Sequence, residues 1–347
     1  MLLSRIANLP IILEVGNNRV NNLHNILLHH NLGFETKILV TTRALWKKYQ
    51  KLFRKGKKSD FHDVLYITHS DTKNVKELVA RLKKYPKNSL VIAFGGGKVV
   101  DVTKSATTEV GLNYLAIPTA LSNDGIYSPV ASITQKDGRK KSVGANIPLG
   151  VIIDIALVQE APPETTISGI GDVVSNISAL EDWKLAKEDT SEHINDFAYT
   201  LSHLSTETIL NLNFKDITEY NFLKRLAYSL VVSGLAMEIA ESSRPASGSE
   251  HMISNALNHL YPERSQSHGV QAAFATLLME KARGKDLRGY IDFYRKVGLP
   301  TTLKEFGFGK KELAEAIRVA PTIRDRYTLL SKVKMSDTFI NKLLEDF

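Results

Sequence analysis

"SLVIAFGGGKVVDVTK", residues 89 to 104, carries strand-forming sequence directly into three glycines, a lysine and a helix-like stretch. A strand that ends in Gly95-Gly96-Gly97 and enters a helix at about Val99 makes an anion site. Without Cβ atoms the backbone can come close to a ligand, and the exposed N–H groups of the helix start favour negative charge. The phosphate loop of the Walker type needs G-x-x-x-x-G-K-[ST], and here Lys98 is followed by Val99. The G-x-G-x-x-G dinucleotide fingerprint fails as well, because position 100 is Val. The competing reading is a tight strand-to-helix turn that binds nothing, with Asp101 no more than a favourable charge in the first turn.

The same alternation extends to both sides. Before the glycines, "IILEVG" (11 to 16), "KILVTT" (37 to 42) and "DVLYITH" (63 to 69) read as strands separated by helical stretches. After them come "LNYLAIPT" (112 to 119), "PVASIT" and "GVIIDIALV". Short β-rich runs separated by helical periods predict βαβ units and a mainly parallel, Rossmann-like sheet. At "QEAPPETT" (159 to 166) the texture changes, and from Ile167 the chain reads as long amphipathic helices. The expected organisation is an α/β domain over residues 1–161 and an all-α domain over 162–347, with the active site in the cleft between them.

The bulk numbers set limits on function. The chain has 347 residues, enough for two domains with a buried core each. It has no cysteine, which excludes disulfides, thiolate metal sites and a cysteine nucleophile. No apolar run reaches the roughly 18 residues of a membrane span. The stretch "MLLSRIANLPIILEV" has a proline and charges too early for a secretory signal, so a cytoplasmic setting is expected. The net charge of +8 comes largely from "KKYQKLFRKGKK" (47 to 58), read as a solvated helix face and loop. No nucleic-acid-binding pattern accompanies it, so a nucleic-acid partner is not expected.

A second polar cluster, "IPTALSNDGIYSP" (117 to 129), follows the next strand and holds Thr119, Ser122, Asn123, Asp124 and Ser128. Both clusters leave carboxyl ends of neighbouring strands, where open α/β sheets bind ligands. In the helical half, "GIGDVVSN", "ASGSEHMISNALNHL" and "SQSHGVQAAF" place Asp172, His251 and His268 at or near helix starts. One carboxylate and two imidazoles suit a catalytic zinc or ferrous ion with coordination positions to spare. Taken singly, a histidine near a helix start is more often a cap or a satisfied surface residue, and His259, two turns beyond His251, reads as structural.

In this order, "GGGKVVDVTK", "IPTALSNDGIYSP", "GIGDVVSN", "SGSEHMISNAL" and "SHGVQ" resemble the glycerol-1-phosphate dehydrogenases and glycerol dehydrogenases of the iron-containing alcohol dehydrogenase and dehydroquinate synthase superfamily. The resemblance runs from about residue 10 to about residue 300. It implies that Gly95, Gly96, Gly97, Lys98 and Val99 hold the pyrophosphate of NAD(P), with Asp101 supporting the turn. Thr119 and Ser122 would contact the cofactor further along, and Ser128 would lie near its nicotinamide end. Asp124 would bind the substrate hydroxyls and take part in catalysis, while Asp172, His251 and His268 would hold a divalent ion. Zinc is the expected metal, with iron or nickel as alternatives, and the subunit would form a homo-oligomer. The implied reaction is hydride transfer between NAD(P)H and a small polyol or polyol phosphate, foremost sn-glycerol 1-phosphate and dihydroxyacetone phosphate.

Two positions depart from the glycerol-1-phosphate branch. A second histidine usual one turn after the SEH histidine is here Asn255, still a candidate substrate contact, and the histidine usual before the loop aspartate is Asn123. Glycerol and dihydroxyacetone therefore stay open as substrates. A lyase related to dehydroquinate synthase and a catalytically silent dinucleotide-binding protein are further alternatives. "KILVTT" leads into Thr41-Thr42-Arg43 with no carboxylate for the ribose hydroxyls, so use of NADPH at least as well as NADH is expected.

Overall fold

A computed structural model describes residues 9–55, 58–59, 61–264 and 266–347. The first residues of the N-terminal stretch, Gly56 and Lys57 of the basic run and Ser265 of the SQSH motif lie outside the described residues. The chain divides into two compact units, residues 1–121 with 125–162, and residues 122–124 with 163–347.

The first unit is built on a six-stranded sheet of β1 (Ile12–Gly16), β2 (Thr36–Thr41), β5 (Asp63–Tyr66), β6 (Ser89–Gly95), β7 (Asn113–Pro118) and β10 (Gly150–Asp154). Its order is β1-β10-β7-β6-β2-β5, and every pair is parallel. All seven residues of β6 are buried, as an unbroken apolar run requires when both faces of a parallel sheet are covered. The helices between the strands are α1 (Leu23–His29), α2 (Arg43–Tyr49), α3 (Thr72–Leu82) and α4 (Gly97–Val110). From β2 the chain steps outward to β5, then returns past β2 to β6 and proceeds the other way through β7 and β10. The order therefore reverses between β2 and β6, the position at which doubly wound sheets bind their ligands.

Two runs read as sheet strands differ. "PVASIT" forms β8 (Val130–Thr134), which pairs antiparallel with β9 (Lys140–Gly144) in a separate hairpin. "GVIIDIALV" is strand only to Asp154, whose carboxylate accepts from the Ala156 amide and starts the short helix α5 (Ile155–Gln159). The remaining strands, β3 (Arg54–Lys55) and β4 (Lys58–Ser59), make a two-residue ribbon.

The second unit is helical, with α6 (Pro163–Thr190), α7 (Asp196–Leu210), α8 (Tyr220–Ala240), α9 (Ser249–Leu260), α10 (His268–Ala282), α11 (Arg288–Val297), α12 (Leu303–Phe306), α13 (Lys310–Ile323), α14 (Leu329–Lys332) and α15 (Asp337–Leu343). At the boundary Pro162 precedes α6 and Pro163 begins it, in the first turn, where the missing N–H would have no helical partner. Helix α7 has no sequence signal of comparable strength. Its serines and threonines are poor helix formers, and burial of Ala198, Ser202, Ser205, Thr206 and Ile209 decides its conformation. The core around α9, α10 and α13 includes Ile253, Leu257, Phe274, Leu278, Leu313 and Ile317, all fully buried.

Candidate functional site

In the first unit, Gly95 is paired with Pro118 at the end of the sheet, Gly96 caps α4 and Gly97 begins it. No side chain caps this helix start, and the Val99 amide turns back to the Gly96 carbonyl at 2.9 Å, so the amides of Gly97 and Lys98 are the ones left for another acceptor. A Cβ on Gly95 would lie 2.8 Å from Val99 Cβ and 3.2 Å from Leu45 Cδ1, so only glycine fits beneath the turn. Around Gly96 nothing would meet an added Cβ within 4 Å, which leaves open space over the turn. The Lys98 ammonium donates to the Thr68 carbonyl at 2.9 Å, so its contribution at the turn is its backbone. Thr119 N–H donates to the Gly95 carbonyl at 3.1 Å and ties the second loop to the first. Burial pushes the Asp101 carboxyl up to about 6, against the pull of the Lys104 ammonium.

Lys104 has no counterpart in the reading of the sequence. Its ammonium is fully buried and donates to the carbonyls of Gly125 (2.7 Å), Ser128 (2.7 Å) and Val130 (2.8 Å). Three donors on three carbonyls pin the chain from 125 to 130 onto α4. Ser128 is buried, and its hydroxyl donates to the Val130 carbonyl at 3.2 Å.

In the second unit, Asp172, His251 and His268 converge, with ligand atoms all within 4.8 Å of one another. Asp172 stands well inside α6, not near a helix start as its glycine flanks suggested; His251 is the third residue of α9 and His268 the first of α10. Glycines explain the convergence. A Cβ on Gly269 would sit 2.9 Å from the Asp172 amide, and one on Gly171 would sit 2.8 Å from the Gly269 carbonyl carbon, so α6 and α10 touch backbone to backbone.

The donor set fits a divalent ion. His251 Nδ1 lies 2.8 Å from Glu250 Oε1, and His268 Nδ1 lies 3.3 Å from Ser254 Oγ, whose own proton goes to Gln271 Oε1 at 2.8 Å. With both Nδ1 atoms engaged, each imidazole presents Nε2 to Asp172 Oδ1, at 3.8 Å in both cases. Outer partners of this kind fix the tautomer and orientation of metal-binding histidines. Burial alone would lower the affinity of His251 for a proton, yet the carboxylates of Asp172 and Glu250 raise it to about 10. The site is thus built to attract positive charge.

Asp124 belongs to the same unit. Its amide donates to Asp172 Oδ2 at 2.8 Å, and its Oδ2 accepts from Ser233 Oγ at 3.0 Å. Asn176 Nδ2 in turn donates to Ser233 Oγ at 3.0 Å and to Ser205 Oγ at 3.2 Å. The Ser122 carbonyl accepts from Ser168 Oγ at 2.9 Å. Of the residues named from the sequence, Asp124, Asp172, His251 and His268 thus form one connected group, while Gly95 to Val99, Asp101, Thr119 and Ser128 lie in the first unit. Asn255 is half-buried on α9, and His259 is exposed. Glu250, Ser233 and Asn176 were not found from the sequence. Glu250 could have been, as the neighbour of His251, whereas a serine in an apolar helix gives no signal.

Among the described residues, no helix is long and apolar enough to cross a membrane. A family profile described as iron-containing alcohol dehydrogenase matches residues 14–162. Glycerol-1-phosphate dehydrogenase [NAD(P)+] of Pyrococcus furiosus is 35% identical over 334 residues, covering 94% of each chain. The protein of the same name from Nitrosopumilus maritimus is 30% identical over 96% of this chain and 94% of its own. The crystal structure of a probable glycerol dehydrogenase from Sinorhizobium meliloti 1021 superposes with a TM-score of 0.75 at 19% identity, covering 99% of this chain and 98% of that one, which shows the shared fold. With relatives this similar along nearly the whole chain, the protein belongs to the glycerol-1-phosphate dehydrogenases, within the iron-containing alcohol dehydrogenase family.

Proposed function

We propose that this protein is a metal-dependent oxidoreductase that passes hydride between NAD(P)H and dihydroxyacetone phosphate, with sn-glycerol 1-phosphate as the alcohol. The observation that carries this reading is the convergence of Asp172, His251 and His268 within 4.8 Å. The relatives named for glycerol 1-phosphate support the choice of substrate.

In this reading Asp172, His251 and His268 hold a divalent ion, zinc first, with iron or nickel as alternatives. When bound there, such an ion would supply Lewis-acid chemistry toward a substrate oxygen near neutral pH. Asp124 accepts a substrate hydroxyl and exchanges its proton at the carboxylate, which Ser233 orients through Oδ2. Gly95 to Val99 hold the pyrophosphate at the helix start, Asp101 supports the turn, and Thr119, Ser122 and Ser128 line the remainder of the dinucleotide. Asn255 takes a polar group of the substrate, as donor or acceptor but never as a cation. The first unit is accordingly the dinucleotide-binding domain and the second the metal- and substrate-binding domain, in a cytoplasmic homo-oligomer.

The test is oxidation of NADPH and NADH by the metal-loaded protein with dihydroxyacetone phosphate and, separately, dihydroxyacetone. Net consumption with the phosphorylated ketone is expected. Consumption with dihydroxyacetone alone selects glycerol dehydrogenase, and turnover without net NAD(P)H change selects the lyase.

A further inference from the structure

We propose that Arg43, held against the ring of Tyr66, recognises the 2′-phosphate of NADP(H) and so sets the preference of this chain between the two nicotinamide dinucleotides. The inference rests on the dinucleotide reading of the glycine turn and adds to it the group that distinguishes the cofactors.

The sheet places this residue. β2 lies beside β6, with Val40 paired to Ala93, so the chain leaves β2 close to where β6 runs into Gly95. On its other side Thr41 pairs with Tyr66 at the end of β5. Leu45, two residues after Arg43, would lie 3.2 Å from a Cβ on Gly95, so the start of α2 abuts the glycine turn. A dinucleotide whose pyrophosphate sits on such a turn sends its adenosine ribose toward the end of the neighbouring strand.

The residues at that end differ in what they can offer. Thr41 is fully buried, so its side chain cannot reach a ribose. Thr42 Oγ1 accepts from the Leu45 amide at 3.2 Å and is already used as a helix cap. Arg43 is exposed, with its guanidinium carbon 4.8 Å from the centroid of the Tyr66 ring. Among the described residues it makes no ion pair or side-chain hydrogen bond. A guanidinium stacked on an aromatic face keeps its N–H edge available in a fixed plane, which matches the two oxygens of a phosphate. The ribose diol of NADH lacks that charge, and no carboxylate at this strand end would bind it in exchange.

The test is direct binding, by fluorescence or calorimetric titration, of NADPH, NADH, 2′,5′-ADP and 5′-ADP to the parent, Arg43→Ala, Arg43→Lys and Tyr66→Leu. Arg43→Ala is expected to weaken NADPH and 2′,5′-ADP about tenfold to a hundredfold, the worth of a charged hydrogen-bonding pair. NADH and 5′-ADP should change by less than about twofold by the same reasoning, since they never meet the guanidinium. Arg43→Lys should recover part of the loss, and Tyr66→Leu should lie between parent and Arg43→Ala. Equal weakening of NADPH and NADH, or no weakening of either, overturns the assignment of Arg43. A parent that binds neither dinucleotide overturns the underlying reading instead.

Discussion

The glycine turn of the first unit and the Asp172–His251–His268 group of the second are built by opposite means. The turn is made from backbone within a few consecutive residues, and it favours an anion because helix amides are left uncapped. The cluster is made from side chains drawn from α6, α9 and α10, and it favours a cation because carboxylates surround two imidazoles. Glycine serves both, in different ways. Beneath the turn Gly95 admits Val99, whereas Gly171 and Gly269 bring two helices into backbone contact so that Asp172 and His268 can meet. Local sequence suffices for the first site, and tertiary packing makes the second.

Substitutions that damage one site and spare the other test this contrast. The largest effect is expected from Asp172→Ala or His268→Ala. Each should abolish stoichiometric metal binding and lower kcat by about a thousandfold or more, the scale of losing Lewis-acid catalysis. Dinucleotide affinity should hold; equal loss of dinucleotide binding in titrations would break the separation. Gly269→Ala comes next, because its Cβ would press on backbone rather than on a side chain that can turn aside. A stability loss of about 3 kcal/mol is expected in denaturant melts, together with weakened metal binding.

Ser233→Ala sharpens the comparison within the second unit. It removes the hydroxyl that donates to Asp124 Oδ2 and leaves Asn176 Nδ2 one acceptor short. Loss of one hydrogen bond of about 1 kcal/mol corresponds to a KM for the ketone raised by about fivefold to tenfold, with metal content unchanged. A pH-dependent effect confined to the first unit concerns Asp101, whose carboxyl burial pushes up to about 6. A carboxyl that titrates higher when folded than when unfolded, near 4, costs stability as it ionises. That cost is absent below about pH 4, grows through the window and is complete above about pH 6. Relative to Asp101→Asn, the parent should therefore lose about 2 to 3 kcal/mol between pH 4 and pH 7 in melts followed against pH.

The two sites were unequally legible in the sequence. The parallel sheet could be read because β6 is apolar from Leu90 to Phe94 and runs straight into the glycines. The hairpin of Val130 to Gly144 could not be separated from the sheet, since a short β-type run does not declare its partner. Asp172, His251 and His268 were identifiable as ligand types, but nothing in their spacing states that α6 and α10 touch. Asp172 in particular takes its place from the close approach of Gly171 and Gly269, not from a helix start. Lys104 was illegible for another reason: its partners are carbonyls, which every residue possesses.

Residues 122–124 group with the helical unit although the chain on either side of them does not. A gene cut after Pro162 would therefore give a C-terminal fragment without the amide that meets Asp172 Oδ2 and the carboxylate that meets Ser233. Shuffling whole halves between relatives would likewise join one parent's tripeptide to another parent's helices, so recombination has to treat those three residues as part of the later half.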